Sequence, residues 1–158
     1  MDNHKLASDI AGAVYCVYGE LIGLSEVAVQ KRPFADEWSI KEIIGHLVDS
    51  ASNNHQRWVR LQVDDVLSFP DYQRHNEKWV RIQRYNDRAW ESLLQLWRLF
   101  NLHLAAMVKD VDKKCLRNIW LIDEDTTVTL QDLMVDYLRH LLLHLEQIRQ
   151  MGKPANRD

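Results

Sequence analysis

Between Gly45 and Gly152 the chain contains no glycine, and its three prolines stand at positions 33, 70 and 154. Tight turns and sheet corners generally draw on glycine for backbone conformations that other residues resist. About two thirds of this sequence therefore has few means of turning sharply and is left to long helices.

Hydrophobic spacing places those helices. Over 2–24, Leu6, Ile10, Val14, Val17 and Leu21 recur at steps of three or four and line up one apolar face. After a Pro33-containing segment at 26–38, Ser39-Ile40-Lys41-Glu42 is an S-x-x-E capping box, which satisfies free amides at a helix start. It predicts a second helix over 40–63, with Ile43, Ile44, Leu47, Val48, Ala51 and Trp58 on its apolar side.

The pattern breaks over 64–86 around Phe69-Pro70-Asp71-Tyr72, a long connection for a bundle. Asn86 or Asp87 is the expected cap of a third helix, which runs to Lys109 through Trp90, Leu93, Leu94, Trp97 and Leu104. The stretches 118–122 and 126–129, parted by Asp123-Glu124-Asp125, read as a short hairpin. Thr129-Leu130-Gln131-Asp132 is a second capping-type start, followed by a fourth helix over 133–150 that Gly152 and Pro154 stop. The expected fold is all-α: one four-helix-bundle domain over 1–158 with long connections.

Composition limits the classes of function. With 46% hydrophobic and 27% charged residues the chain matches a globular protein, and its net charge of −3 offers nothing to a phosphate backbone. We expect no nucleic-acid partner. No apolar run approaches the ~18 residues of a membrane span, and the first residues lack the layout of a secretion signal, so no membrane association and a cytoplasmic location are expected. Cys16 and Cys115 have no CxxC spacing and read as reduced thiols.

The remaining chemistry lies in seven histidines. His140 and His144 are spaced i, i+4, which stacks two imidazoles on one helical face within reach of a shared ion. Roughly 0.3 such pairs arise by accident in a chain with this many histidines, so the pair needs a third ligand. His46, in Gly45-His46-Leu47-Val48-Asp49, sits among residues that face the core. Either a metal or ordinary hydrogen bonds can satisfy a buried imidazole, and spacing alone leaves both open. Three ligands from two helices would form an open site, with room for water or substrate.

Glu42 and Asp136 each precede one of these histidines by four residues; Asp49, Ser50 and Asn53 continue the stripe beyond His46. All five are candidates to support the site, or else helix-terminal acids and a solvated edge. His4, His55, His75 and His103 read as surface residues, and Trp79 as part of a cavity rim. No glutamate stands three residues before a histidine, which removes di-iron bundles, and no H-E-x-x-H, Walker, G-x-G-x-x-G or G-x-S-x-G motif is present.

As a set, Trp38-Ser39-Ile40-Lys41-Glu42 followed by His46-Leu47, then Asn53-Asn54-His55-Gln56-Arg57, Phe69-Pro70-Asp71-Tyr72, Tyr85-Asn86-Asp87 and the final His140 and His144 resemble the DinB-like superfamily, the DinB/YfiT-like metalloenzymes. The resemblance covers nearly the whole chain. It implies a four-helix bundle whose His46, His140 and His144 hold a divalent metal, zinc or nickel first, with iron or manganese as alternatives. It also implies a small-molecule substrate, dimerisation as in many relatives, and transfer or isomerisation involving a low-molecular-weight thiol.

The leading expectation is thus a small-thiol-dependent transferase acting on an electrophile. The alternatives are a metal-dependent hydrolase of the same fold or a non-enzymatic, metal-stabilised binding or sensor module. Histidine phosphotransfer ranks behind these, because it needs an exposed histidine. Imidazole ligates only when neutral, so metal binding should weaken below about pH 6.5.

Overall fold

A computed structural model of the chain describes residues 2–151. Its long helices are α1 (Asn3–Leu21), α3 (Ile40–Arg60), α5 (Trp90–Asp110) and α6 (Leu130–Met151); α2 (Glu26–Gln30) and α4 (Asn76–Gln83) lie in the connections. The architecture is the expected four-helix bundle. Helix α1 packs chiefly on α5, and α3 packs on both α5 and α6. The core between them includes Ile10, Val14, Ile43, Leu47, Trp58, Trp97, Leu104 and Leu141, all nearly or fully buried.

Local chemistry explains most helix ends. Asp2 caps α1 by accepting from the Lys5 amide at 3.1 Å. The helix ends at Leu21, short of 24, because Ser25 accepts from the Ala28 amide and starts α2 on a new axis. Both halves of the Ser39–Glu42 capping box form, at 3.1 and 2.9 Å, and fix the start of α3 where the sequence put it. Helix α6 begins at Leu130, three residues earlier than expected, since Thr129 accepts from the Asp132 amide. The expected stop signals, Gly152 and Pro154, lie outside the described residues.

The start of α5 departs from expectation. Its N-cap is Ala89, which offers no side-chain cap, while Asn86 accepts from Ser39 Oγ at 2.7 Å. The free Trp90 amide donates instead to Glu26 Oε1 at 2.6 Å, a cap supplied from α2. Glu26 Oε2 also meets the buried Lys41 ammonium at 2.7 Å, so one carboxylate ties α2, α3 and α5 together.

The connection after α3 is ordered rather than plain loop. It holds β1 (Val66–Ser68) and α4, which closes on Arg84 in the left-handed conformation (φ 53°, ψ 52°). The expected hairpin forms as β2 (Ile119–Leu121) and β3 (Thr127–Thr129), antiparallel with Trp120 opposite Val128. Strand β1 joins it in parallel, Leu67 opposite Trp120, giving the order β1-β2-β3. The connector after α3 is thereby fastened beside the start of α6. Among the described residues no helix is long and apolar enough to cross a membrane.

Candidate metal centre

His46 lies on the inward face of α3, one turn past the capping box, and His140 and His144 lie one turn apart on α6. Because α3 and α6 pack together, the three rings meet: centroids are 5.2 Å apart for His46 and His140, 4.8 Å for His46 and His144, and 4.6 Å for His140 and His144. One ring nitrogen from each lies within 4.8 Å of the other two.

The Nε2 atoms of His46 and His140 approach to 3.3 Å. Two nitrogen lone pairs at that distance repel unless an electrophile, a proton or a cation, sits between them. Two nitrogens bound to one divalent ion at about 2.0–2.1 Å each stand about 3.3 Å apart in tetrahedral geometry, so this pair is close enough to share an ion.

Polar side chains stand on the far side of two rings, a carbonyl oxygen that only accepts at His144 and a hydroxyl that can accept or donate at His140. His140 Nδ1 faces Ser50 Oγ at 3.4 Å, and His144 Nδ1 faces Gln147 Oε1 at 3.0 Å. A proton on each Nδ1 leaves Nε2 free to ligate, the usual role of outer partners in histidine metal sites. Among the described residues His46 Nδ1 is buried without a hydrogen-bond partner, and that ring lies against Trp38 at 5.0 Å between centroids.

All three imidazoles are held neutral. Burial, then the proximity of His144 and His140, pushes His46 down to about 3; burial and His144 push His140 down to about 4. His144 is lowered by burial, opposed by its bond to Gln147. The sequence-based expectation that metal binding weakens below about pH 6.5 thus moves to lower pH, because the folded protein keeps its imidazoles deprotonated there.

The five candidate supporting residues separate. Ser50 reaches His140, and Asp136 lines the same cavity as that ring while pairing with Arg139 at 2.7 Å. Glu42 is engaged by the capping box and by Arg32. Asp49 accepts from Gln83 and from the Tyr85 hydroxyl, the latter at 2.7 Å, and Asn53 bonds back to the Asp49 carbonyl. Glu42 and Asn53 are thus taken up by nearer partners, as is Asp49 Oδ1, while Asp49 Oδ2 is buried without a partner among the described residues.

His4, His75 and His103 are exposed; His55 is half-buried, its ring 5.4 Å from that of His103 and 5.8 Å from Phe100. Trp79 packs on Tyr72 at 5.3 Å between ring centroids. Gln147 was legible in principle, standing i+3 from His144 on the same helical face.

A cleft of about 1040 Å³ lies between α4 and the start of α3; Trp38 lines it, but none of the three histidines does. A smaller cavity of about 350 Å³ is lined by His140, Ser50, Asn54, Arg57, Trp120 and Asp136. The smaller one reaches the cluster at His140.

A family model described as the DinB superfamily matches residues 20–148. A similar solved structure is that of YfiT from Bacillus subtilis, described as a probable metal-dependent hydrolase with an unusual four-helix bundle topology. It superposes with a TM-score of 0.83 over 95% of this chain and 85% of that one, at 12% sequence identity, a likeness of fold. No curated protein matches the chain.

Proposed function

We propose, since this chain belongs to the DinB superfamily, that His46, His140 and His144 hold a divalent metal ion and that the protein is a metal-dependent hydrolase of a small molecule. The observation that carries the reading is the convergence of three neutral imidazole nitrogens within 4.8 Å, beside a cavity that reaches His140. A divalent ion held there would supply Lewis acidity and lower the pKa of a bound water toward 7, so that hydroxide is available near neutral pH. The description of YfiT as a probable metal-dependent hydrolase supports water over a thiol as the nucleophile.

The chain's own residues hold and shield that centre. Ser50 and Gln147 orient His140 and His144, and Trp38 covers the His46 ring. The Tyr72 ring lies 6.5 Å from that of His46, and burial pushes its phenol up to about 12. Tyr72 therefore keeps its proton through the neutral range and serves as a hydrogen-bond donor rather than a base. Both cysteines lie outside this site, Cys16 exposed on α1 and Cys115 in the turn before β2. A thiol-dependent reaction would need a free thiol from solution.

Elemental analysis tests the metal: the purified chain should carry a divalent ion near one per chain, and a triple His→Ala variant that retains it would remove the triad. Turnover of small esters and amides, lost on chelation and unchanged by an added low-molecular-weight thiol, is the expected activity. Turnover only with the thiol present would replace hydrolysis by transfer.

A further inference from the structure

Arg57 is a charged residue with almost no exposed surface and too few partners. Its side chain is 1% exposed on α3. Its only hydrogen bonds among the described residues are two long ones from Nη2, at 3.4 Å to Asp71 Oδ1 and 3.5 Å to the Pro70 carbonyl. Nε is buried with no partner. Asp71 is itself divided, since the same oxygen accepts from the Gln73 amide at 3.1 Å. A guanidinium has five N–H donors in a planar fork, and a buried charge ordinarily needs a full set of partners.

The surroundings hold the cation without consuming that fork. The Trp120 ring lies 3.9 Å from Arg57 Cζ, a face-on contact that stabilises positive charge and leaves the N–H edge free. Trp120 is fixed in turn by β2 and by its Nε1 bond to the Phe69 carbonyl at 2.8 Å.

Arg57 lines the same 350 Å³ cavity as Ser50, Asn54 and His140. Eleven residues separate it from His46, about 16 Å of helix, but long helical side chains lean toward the N-terminus, so Arg57 reaches back toward the histidines. The Tyr72 ring neighbours both, 5.9 Å from Arg57 Cζ and 6.5 Å from the His46 ring. The volume suits a small molecule spanning the two ends.

We propose that Arg57 anchors the carboxylate of the small molecule this cavity takes, leaving the rest of that molecule to extend toward His140. The assignment rests on the metal-centre reading for the role of that far end, and adds the substrate class: small monocarboxylates. A forked guanidinium matches a carboxylate in two parallel hydrogen bonds. Asp132 and Asp136, exposed residues that also line the cavity, weigh against a phosphate ester or another multiply charged anion.

The test uses 3-phenylpropionate and its uncharged amide, 3-phenylpropionamide, titrated calorimetrically into the chain as purified and after dialysis against EDTA, with circular dichroism to check folding. The acid should bind at least about tenfold tighter than the amide in both preparations. Arg57→Gln should erase that preference and Arg57→Lys should keep part of it, with metal content unchanged in both. Asp71→Asn, which removes the competing carboxylate, should tighten the acid further, and it decides the matter if Arg57→Gln does not fold.

Equal binding of acid and amide, no binding of either up to about 10 mM, a preference lost on EDTA treatment, or an Asp71→Asn variant with no tighter binding overturns the proposal. The two readings fail separately. A chain that takes up no metal yet prefers the acid refutes the metal centre and supports the carboxylate site, whereas a metal-bound chain without the preference does the reverse.

Discussion

His46 Nε2 and His140 Nε2 stand 3.3 Å apart although 94 residues separate them in the chain. Only the packing of α3 on α6 produces that approach, and each ring is kept in place by different neighbours: Trp38 for His46, Ser50 for His140.

Ser50→Ala and Gln147→Ala should each weaken metal binding by roughly tenfold to a hundredfold, because they release the far sides of His140 and His144 without removing a ligand. Competition against a chromogenic chelator measures this. Unchanged affinity in both variants would show that the tautomers are set elsewhere.

Metal removal should lower thermal stability. An ion present at a hundred times its Kd adds about 2.7 kcal/mol, roughly 5–10 °C in Tm for a chain of this size. Differential scanning calorimetry before and after EDTA, with readdition of the metal, reads the shift. A Tm that does not move would mean that no ion binds the folded chain preferentially.

The metal-free protein should lose stability on mild acidification. His46 and His140 titrate at about 3 and about 4 in the folded chain, whereas unfolded histidines take up protons near 6.5. Between those values the unfolded state binds more protons, so stability is full above about pH 6.5 and falls as pH drops through the window toward 3. Urea midpoints from pH 7.5 to 4.5 should show this slope, flattened in a His46→Gln, His140→Gln double variant. An equal slope in that variant would assign the effect to carboxylates.

Gly45→Ala should be severely destabilising. A methyl group there would meet the Tyr85 ring, 2.1 Å from Cδ2 and 2.2 Å from Cγ, and Tyr85 cannot swing away freely because its hydroxyl donates to Asp49 at 2.7 Å. Overpacking of this kind costs about 1–3 kcal/mol or more, which chemical denaturation will detect. Gly12→Ala on α1 meets open space and serves as the control.

What could be read from the sequence was what residues a few positions apart decide. Ser39 and Glu42 announce the start of α3, and His140 and His144 share a face by spacing alone. Glu26 capping Trp90 across 64 residues left no such mark, so the start of α5 was sought at Asn86 or Asp87. The parallel pairing of Val66–Ser68 with Ile119–Leu121 is equally non-local, and the three-residue β1 has no turn signal linking it to its partner. Arg57 carried part of the family resemblance but no role of its own, because nothing in Gln56-Arg57-Trp58 tells a buried arginine from an exposed one.

All three imidazoles belong to α3 and α6, and α1 and α5 pack against those two helices without adding a residue to the cluster. That division leaves a convenient handle. Cys16 is exposed on α1 with its Sγ 3.4 Å from Arg149 Nη2 of α6, so a fluorophore attached there reports from the seam between α1 and the helix that carries His140 and His144.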